Sequence, residues 1–395
     1  GRVRESPLSF VPDSMDEYVP DHGFLVRALL RQRDLGLIAP CATFLTNPVT
    51  AVLTSKGCTF NCVSCGGSAY AYRSVVGRTR PALKSPDAIA EEAASISSMT
   101  RAPIFFINDL RMVGGERRAL EVIGRLRREE LDNPLFFEFF FPPSRRILEG
   151  LRSLGDEVYL HISPESPFPS VRRAFGRPYG NEALEKFVAA SREMGFPRLD
   201  LYFMVGLPGQ DASHAGSVAR YFSRLLDMVG GSGLEAFVAP LAPFLDPGSL
   251  AFERGEGGYR VLFRTLEEHR RALLSTHWSQ TLNYEMDRLS RWEIAWLSAE
   301  EARRLLEVKV ERGLADPEAS EAASERISFE MRLLERLREG PLSREEVEEM
   351  REEAERLFTE AERKLLPELY PQIPLLESLK IPRPVKALIS SLLGL

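Results

Sequence analysis

Cysteine is scarce in this sequence, with four residues in 395, and long apolar runs are absent. So few cysteines in so long a chain exclude a disulfide-built secreted scaffold. No stretch approaches the roughly 18–20 consecutive apolar residues of a membrane-spanning helix. A one-sided charge is also missing. There are 51 Lys+Arg against 57 Asp+Glu, a net charge of −6, so no general attraction to nucleic acid is expected. Lysine supplies only seven of the basic residues and arginine 44, a bias that reads as genome composition. The five histidines, at 22, 161, 214, 269 and 277, show no paired metal-ligand spacing. The first 30 residues mix charge with proline, which excludes a signal-peptide pattern and leads to the expectation of a cytoplasmic protein. The chain opens on Gly1 rather than Met, so a preceding domain is a further expectation. What is there is an ordinary globular mixture, 44% hydrophobic and 27% charged, long enough for roughly two or three domains.

Residues 1–49 have little periodicity and are punctuated by Pro7, Pro12, Pro20, Pro40 and Pro48, which reads as a linker or arm. From Thr50 the pattern changes. Short apolar runs, Thr50–Ser55, Pro103–Ile107, Pro134–Phe140, Glu157–Ile162, Leu199–Val205 and Glu235–Pro240, alternate with helical patterns near 86–98, 115–131, 143–154, 181–195 and 213–229. Ser85 as N-cap with Pro86 at the first helical position marks one helix start. Repeated βα units predict an α/β fold with a parallel sheet over residues 50–257, either a partial (β/α)6 barrel or an open doubly wound sheet. Ligands then gather at the carboxyl ends of the strands. Residues 258–395 are predicted to be a mostly helical domain. In it Ser343 and Glu346 form a capping box, and Val347, Met350, Ala354, Leu357, Ala361 and Leu365 form one apolar stripe.

Three of the four cysteines, Cys58, Cys62 and Cys65, lie within eight residues, directly after the first predicted strand. Gly57, Gly66 and Gly67 give the loop the freedom to wrap around a metal centre. Three thiolates without an obvious fourth ligand suit a 4Fe–4S cluster with one open iron; a zinc site, needing a fourth ligand, is the alternative. Cys41 reads as a buried structural thiol.

This CxxxCxxC motif, followed by repeated βα units, resembles the signature of the radical S-adenosylmethionine (SAM) superfamily, over roughly residues 50–250. The resemblance implies a partial-barrel fold, a 4Fe–4S cluster on Cys58, Cys62 and Cys65, and SAM chelated through its amino and carboxylate groups at the open iron. Reductive cleavage of SAM then yields a 5′-deoxyadenosyl radical that abstracts hydrogen from substrate. The family usually has an aromatic residue before the third cysteine; here it is Ser64, with Phe60 nearby. Asn108 and Asp109, at the second strand end, match the position of groups that hold the methionyl amine. The Gly114-Gly115-Glu116 tripeptide comes too late for that role and reads as a helix start. Ser163, Glu165 and Arg177 resemble the residues that meet the ribose and the carboxylate of SAM. Gly206, in Gly206-Leu207-Pro208-Gly209, resembles the segment bordering the adenine.

A narrower resemblance is to the cobalamin-dependent members, in the connector Leu8–Pro12 and the segment Ala242–Ser249 (APFLDPGS). No Asp-x-His-x-x-Gly cobalamin stretch occurs in this sequence. The resemblance implies cobalamin-dependent methylation of an unactivated carbon or, without cobalamin, radical C–C coupling or rearrangement; a non-catalytic metal-binding scaffold is the reading from a different class. Tyr70, Tyr72, Trp278 and Tyr284 are the candidate substrate contacts, with burial at a domain interface as the alternative. A small-molecule substrate and an electron donor such as flavodoxin or ferredoxin complete the expectations.

Overall fold

The computed structural model describes residues 12–20 and 47–393 apart from 215, 242–244 and 370–372, together with positions 24, 27, 31 and 44. Cys41, His22, residues 8–11 of the connector and residues 242–244 lie outside the described residues. Six strands build the central sheet: β1 Thr50–Leu53, β2 Ile104–Ile107, β3 Leu135–Phe139, β4 Val158–Glu165, β5 Arg198–Val205 and β6 Leu234–Pro240. Every neighbouring pair is parallel, and the spatial order is the chain order. A doubly wound sheet would reverse its strand order at a switch point. This sheet does not, so it is a partial (β/α)6 barrel.

The helices follow the strands as the sequence pattern demands, with α1 Ala69–Val76, α2 Pro86–Met99, α3 Gly115–Leu126, α4 Arg145–Arg152, α5 Pro169–Phe175, α6 Asn181–Glu193 and α7 Ser217–Val229. Ser85 caps α2, its hydroxyl accepting the Ala88 N–H at 3.2 Å. Gly114 caps α3 in the left-handed region, so the Gly-Gly-Glu tripeptide is a helix start as read. The short helices α1 and α5 carry no periodic signal in the sequence.

Alternate strand residues sort to two faces. Phe106, Phe137, Phe139, Leu160, Ile162, Leu199 and Leu201 enter one apolar core with the helices. On the inner face Phe105, Phe136 and Tyr159 stack across β2, β3 and β4, with ring centroids 4.3 and 4.6 Å apart. Beside them a polar row, Glu138, His161, Asp200 and Glu235, crosses β3 to β6 in register.

The region after the sheet does not begin as pure helix. Beyond α8 Leu250–Arg254, an antiparallel ribbon pairs Tyr259–Val261 with Tyr284–Met286, and α9 Leu266–Ala272 lies between its strands. Residues Tyr259, Leu282, Tyr284 and Ile294 share a core with Cys62, Val63 and Leu245. The helices α10 Arg291–Glu311, α11 Pro317–Glu339 and α12 Arg344–Leu369 then pack in succession, α10 against β6 and α7. Ser343 and Glu346 exchange the two capping hydrogen bonds, at 2.7 and 3.2 Å. Leu357, Met350 and Ala354 pack on Phe329 and Leu333 of α11, so this part of the stripe is core. The side chains of Ala361 and Leu365 lie outside the described residues.

Candidate functional site

The site starts where β1 leaves the sheet. Ser55 and Lys56 pair with Ala82 and Leu83 in a small ribbon, and the chain then turns through the cysteine loop until Ser68 caps α1. Inside the loop the Phe60 N–H points at Cys58 Sγ and the Gly67 N–H at Cys65 Sγ, each at 3.3 Å. Cys58 and Cys65 are half-buried and Cys62 is buried. Burial pushes the Cys62 thiol up to about 12, against the opposing pull of the Arg177 guanidinium.

The segment after β4 packs directly on this loop. The Val63 N–H donates to the Phe175 carbonyl at 3.0 Å, and a Cβ at Gly176 would stand 2.9 Å from the Cys62 Cα. With φ at +120°, position 176 demands glycine on both counts. The turn aims Arg177 back at Glu165, with Nε 3.3 Å from Oε1, and its guanidinium lies 4.4 Å above the Phe140 ring. Glu165 is 1% exposed and holds a left-handed φ of +66° at the irregular end of β4. Its Oε2 and the Arg177 Nη1 are buried without a hydrogen-bond partner. Burial raises the Glu165 carboxyl to about 7, although Arg177 pulls the other way. A carboxylate and a guanidinium held this way present one acceptor and one donor to whatever enters.

One cavity of about 380 Å³ collects Cys58, Cys62, Cys65, Asn108, Ser163, Glu165 and Arg177 among its lining residues. These seven sequence-predicted residues therefore meet. Six do not. Asp109 is 1% exposed, and both its carboxylate oxygens are taken, Oδ1 by Arg111 and Oδ2 by Arg111 and the Phe140 N–H. It clamps the loop after β3 and has nothing left for a ligand. Gly206 spends its N–H on Gln210 Oε1 and its carbonyl on the Tyr259 hydroxyl, each at 2.9 Å, and lines no part of the cavity. Tyr284 is fully buried and donates to the Leu241 carbonyl at 3.1 Å. Trp278 donates to Glu330 Oε1 of α11 at 2.6 Å, beside His277. Tyr72 packs on Met15 and Ala82, and Tyr70 lies under the Arg254 guanidinium. All four aromatics belong to packing, the interface alternative, because their bulk found hydrophobic partners from distant parts of the chain.

Other wall residues were missed. Phe140, Phe175, Met204, Leu241 and Asp246 line the cavity, and Phe60 packs on Phe140 and Phe141 rather than facing it. Glu138 stands beside the site. Its Oε1 accepts the Asn108 N–H at 2.6 Å, and burial raises its carboxyl above the ordinary range despite that bond. An acidic residue in an otherwise apolar strand (LFFEF) was the available signal.

The donor set can be tested against the groups expected. Among the described residues no three Cys, His, Asp or Glu side chains converge on a single-ion site. The three thiols instead line a cavity, which suits a polynuclear iron–sulfur group better than one zinc ion. The orphaned Glu165 and Arg177 atoms suit a ligand carrying hydroxyls and a carboxylate. Three cysteines and an acid–guanidinium pair at the carboxyl ends of a partial barrel thus line one polar cavity, with a donor set that suits an iron–sulfur group.

Residues 52–222 match the family model of the Radical SAM superfamily. The match runs from within β1 into α7 and takes in the cysteine loop, Glu165 and Arg177. A search of curated proteins finds no match. Among solved structures, the radical SAM methyltransferase TsrM from Kitasatospora setae, with cobalamin and a 4Fe–4S cluster bound, is 14% identical, with 55% of this chain and 43% of that chain covered at a TM-score of 0.42. The cobalamin-dependent SAM radical enzyme OxsB, with aqua-cobalamin bound, is 10% identical, covering 81% of this chain and 55% of that one at 0.41. Coproporphyrinogen III oxidase (HemN) from Escherichia coli is 14% identical, covering 69% and 66% at 0.33. The chain spans about half the length of the first two.

Proposed function

We propose that this protein is a radical SAM enzyme acting on a small molecule, with Cys58, Cys62 and Cys65 holding a 4Fe–4S cluster and the cavity beside them holding SAM. The observation that carries this reading is the meeting of the three thiols with Glu165 and Arg177, each presenting an unpartnered buried polar atom, in one cavity. When bound, the cluster supplies the electron that cleaves SAM to a 5′-deoxyadenosyl radical able to take hydrogen from a substrate.

The chain's own residues bind and orient. Arg177, braced by Glu165 and stacked on Phe140, is the partner for a carboxylate, which guanidinium meets in a fork. Glu165 Oε2 accepts a ribose hydroxyl, and Ser163 lies on the same wall. Glu138 accepts the Asn108 N–H and so fixes the backbone of Asn108, which lines the cavity. Phe140, Phe175, Met204 and Leu241 keep water from the reacting region. A one-electron donor such as flavodoxin or ferredoxin is required, which fits a cytoplasmic setting. Among the described residues no helix is long and apolar enough to cross a membrane.

Anaerobic reconstitution tests the reading. The protein should take up four irons per chain, absorb broadly in the visible, and form 5′-deoxyadenosine from SAM after reduction. Stoichiometric zinc, or an intact cluster that never cleaves SAM, overturns it. Methylation is a second reading that rests on the APFLDPGS segment. This sequence has no Asp-x-His-x-x-Gly stretch, so its residues do not supply that cobalamin ligand. A cobalamin titration that produces no spectral change removes this reading.

A further inference from the structure

The cysteine loop is fastened from a second side, and the residue that does so carries a charge. Beyond β6, Asp246 lies against the cysteine loop. Asp246 Oδ2 accepts the Gly66 N–H at 2.7 Å, next to Cys65, across 180 residues of sequence. A Cβ at Gly66 would stand 2.7 Å from the Asp246 Cβ, so the loop approaches the Asp246 side chain this closely only because position 66 is glycine. The Ala251 N–H donates to the Val63 carbonyl at 2.9 Å, a second stitch on the same segment.

Asp246 itself is held firmly. Fully buried Asn283 grips its neighbour Leu245 through both backbone groups, accepting the N–H at 2.7 Å and donating to the carbonyl at 3.2 Å. The Ser249 N–H donates to the Asp246 carbonyl at 3.1 Å, and Ser249 then caps α8. The carboxylate lies on the cavity wall beside Cys65. Among the described residues it has no cationic partner within ion-pair distance, and Oδ1 accepts no hydrogen bond. An uncompensated negative charge on the wall of an iron–sulfur site disfavours the more negative, reduced state of the cluster.

We propose that Asp246 is a positioning residue with two separable effects: its hydrogen bond to Gly66 anchors the cysteine loop, and its charge holds the reduction potential of the cluster low. This rests on the reading that Cys58, Cys62 and Cys65 carry a 4Fe–4S cluster. A low potential is what difficult reductive chemistry requires, and the carboxylate supplies part of it from outside the ligand set.

Two substitutions separate the effects. Asp246→Asn keeps an oxygen acceptor for Gly66 and removes the charge; Asp246→Ala removes both. Reconstituted wild type and variants are compared by iron analysis, by an EPR-monitored redox titration without SAM, and by the rate at which a chelator strips iron. Asp246→Asn should hold full iron, with the oxidised–reduced equilibrium moved roughly tenfold toward reduced, about 59 mV positive for one electron. Asp246→Ala should lose iron to the chelator several-fold faster than wild type. A midpoint in Asp246→Asn equal to or below wild type overturns the electrostatic role. Loss of the cluster from Asp246→Asn, or wild-type resistance to the chelator in Asp246→Ala, overturns the anchoring role. A wild type that takes up no cluster overturns the underlying reading, and this inference with it.

Discussion

The outer and inner faces of one sheet are built on opposite rules. On the outer face, Ile104, Phe106, Phe137, Leu160, Leu199 and Leu201 are all 1% exposed or less and share one apolar core with the helices. On the inner face, the same strands carry Glu138, His161, Asp200 and Glu235 beside stacked aromatics, with Asp200 paired to Arg198 at 2.5 Å and Glu235 to Lys309 at 2.6 Å. Burying charges costs free energy unless each finds a partner. The outer face is therefore built on apolar burial, the inner face pairs its charges, and unpartnered polar atoms remain at Glu165 and Arg177 by the strand end.

Substitutions can break that division, and the largest effect should come from the cysteine loop. Cys62→Ala should abolish iron and sulfide uptake while shifting the urea midpoint only by the loss of one small buried side chain, about 1 kcal/mol. If folding collapsed with it, loop and scaffold would not be separable. Phe137→Ala, on the outer face, should cost about 3–5 kcal/mol in urea unfolding and leave iron per folded chain unchanged.

Glu165 tests the opposite face through pH. Its carboxyl is raised to about 7 from an ordinary 4.5, so the folded apoprotein binds that proton more tightly than the unfolded chain does. Stability should then fall as pH rises from about 4.5 through 7, by a few kcal/mol at most and on the order of 3. Glu165→Gln should flatten that slope in thermal melts across this window. Arg177→Lys should weaken SAM binding about tenfold by equilibrium dialysis, since an ammonium neither forks to a carboxylate nor stacks on Phe140 as a guanidinium does. The smallest effect belongs to Tyr284→Phe. Losing its hydrogen bond to the Leu241 carbonyl should cost about 1 kcal/mol with SAM affinity unaltered; a change in affinity would return Tyr284 to the ligand site.

Local patterns were legible where local physics decides. The six strands, the Ser85–Pro86 start and the Ser343–Glu346 capping box follow from side-chain periodicity and from hydrogen bonds spanning three residues. The three cysteines were legible for the same reason, lying in one short loop. Asp109 and Gly206 do not line the cavity, and strand-end position alone does not reveal that Arg111, Phe140, Gln210 and Tyr259 consume their polar groups. Tyr284 and Trp278 have pocket-like chemistry and core-like surroundings, and only packing distinguishes the two.

The sequence by itself determined the parallel βα pattern and the grouping of three cysteines in one short loop, and it singled out Ser163, Glu165 and Arg177, which line the same cavity. Whether the sheet was a partial barrel or doubly wound was left to the tertiary structure, because strand order depends on which edges pair across long loops. It also decided that Phe140 and Asp246 stand at the same cavity. Gly66 and Asp246 are 180 residues apart in sequence and 2.7 Å apart between donor and acceptor. No periodicity connects positions that distant; only the path of the folded chain does.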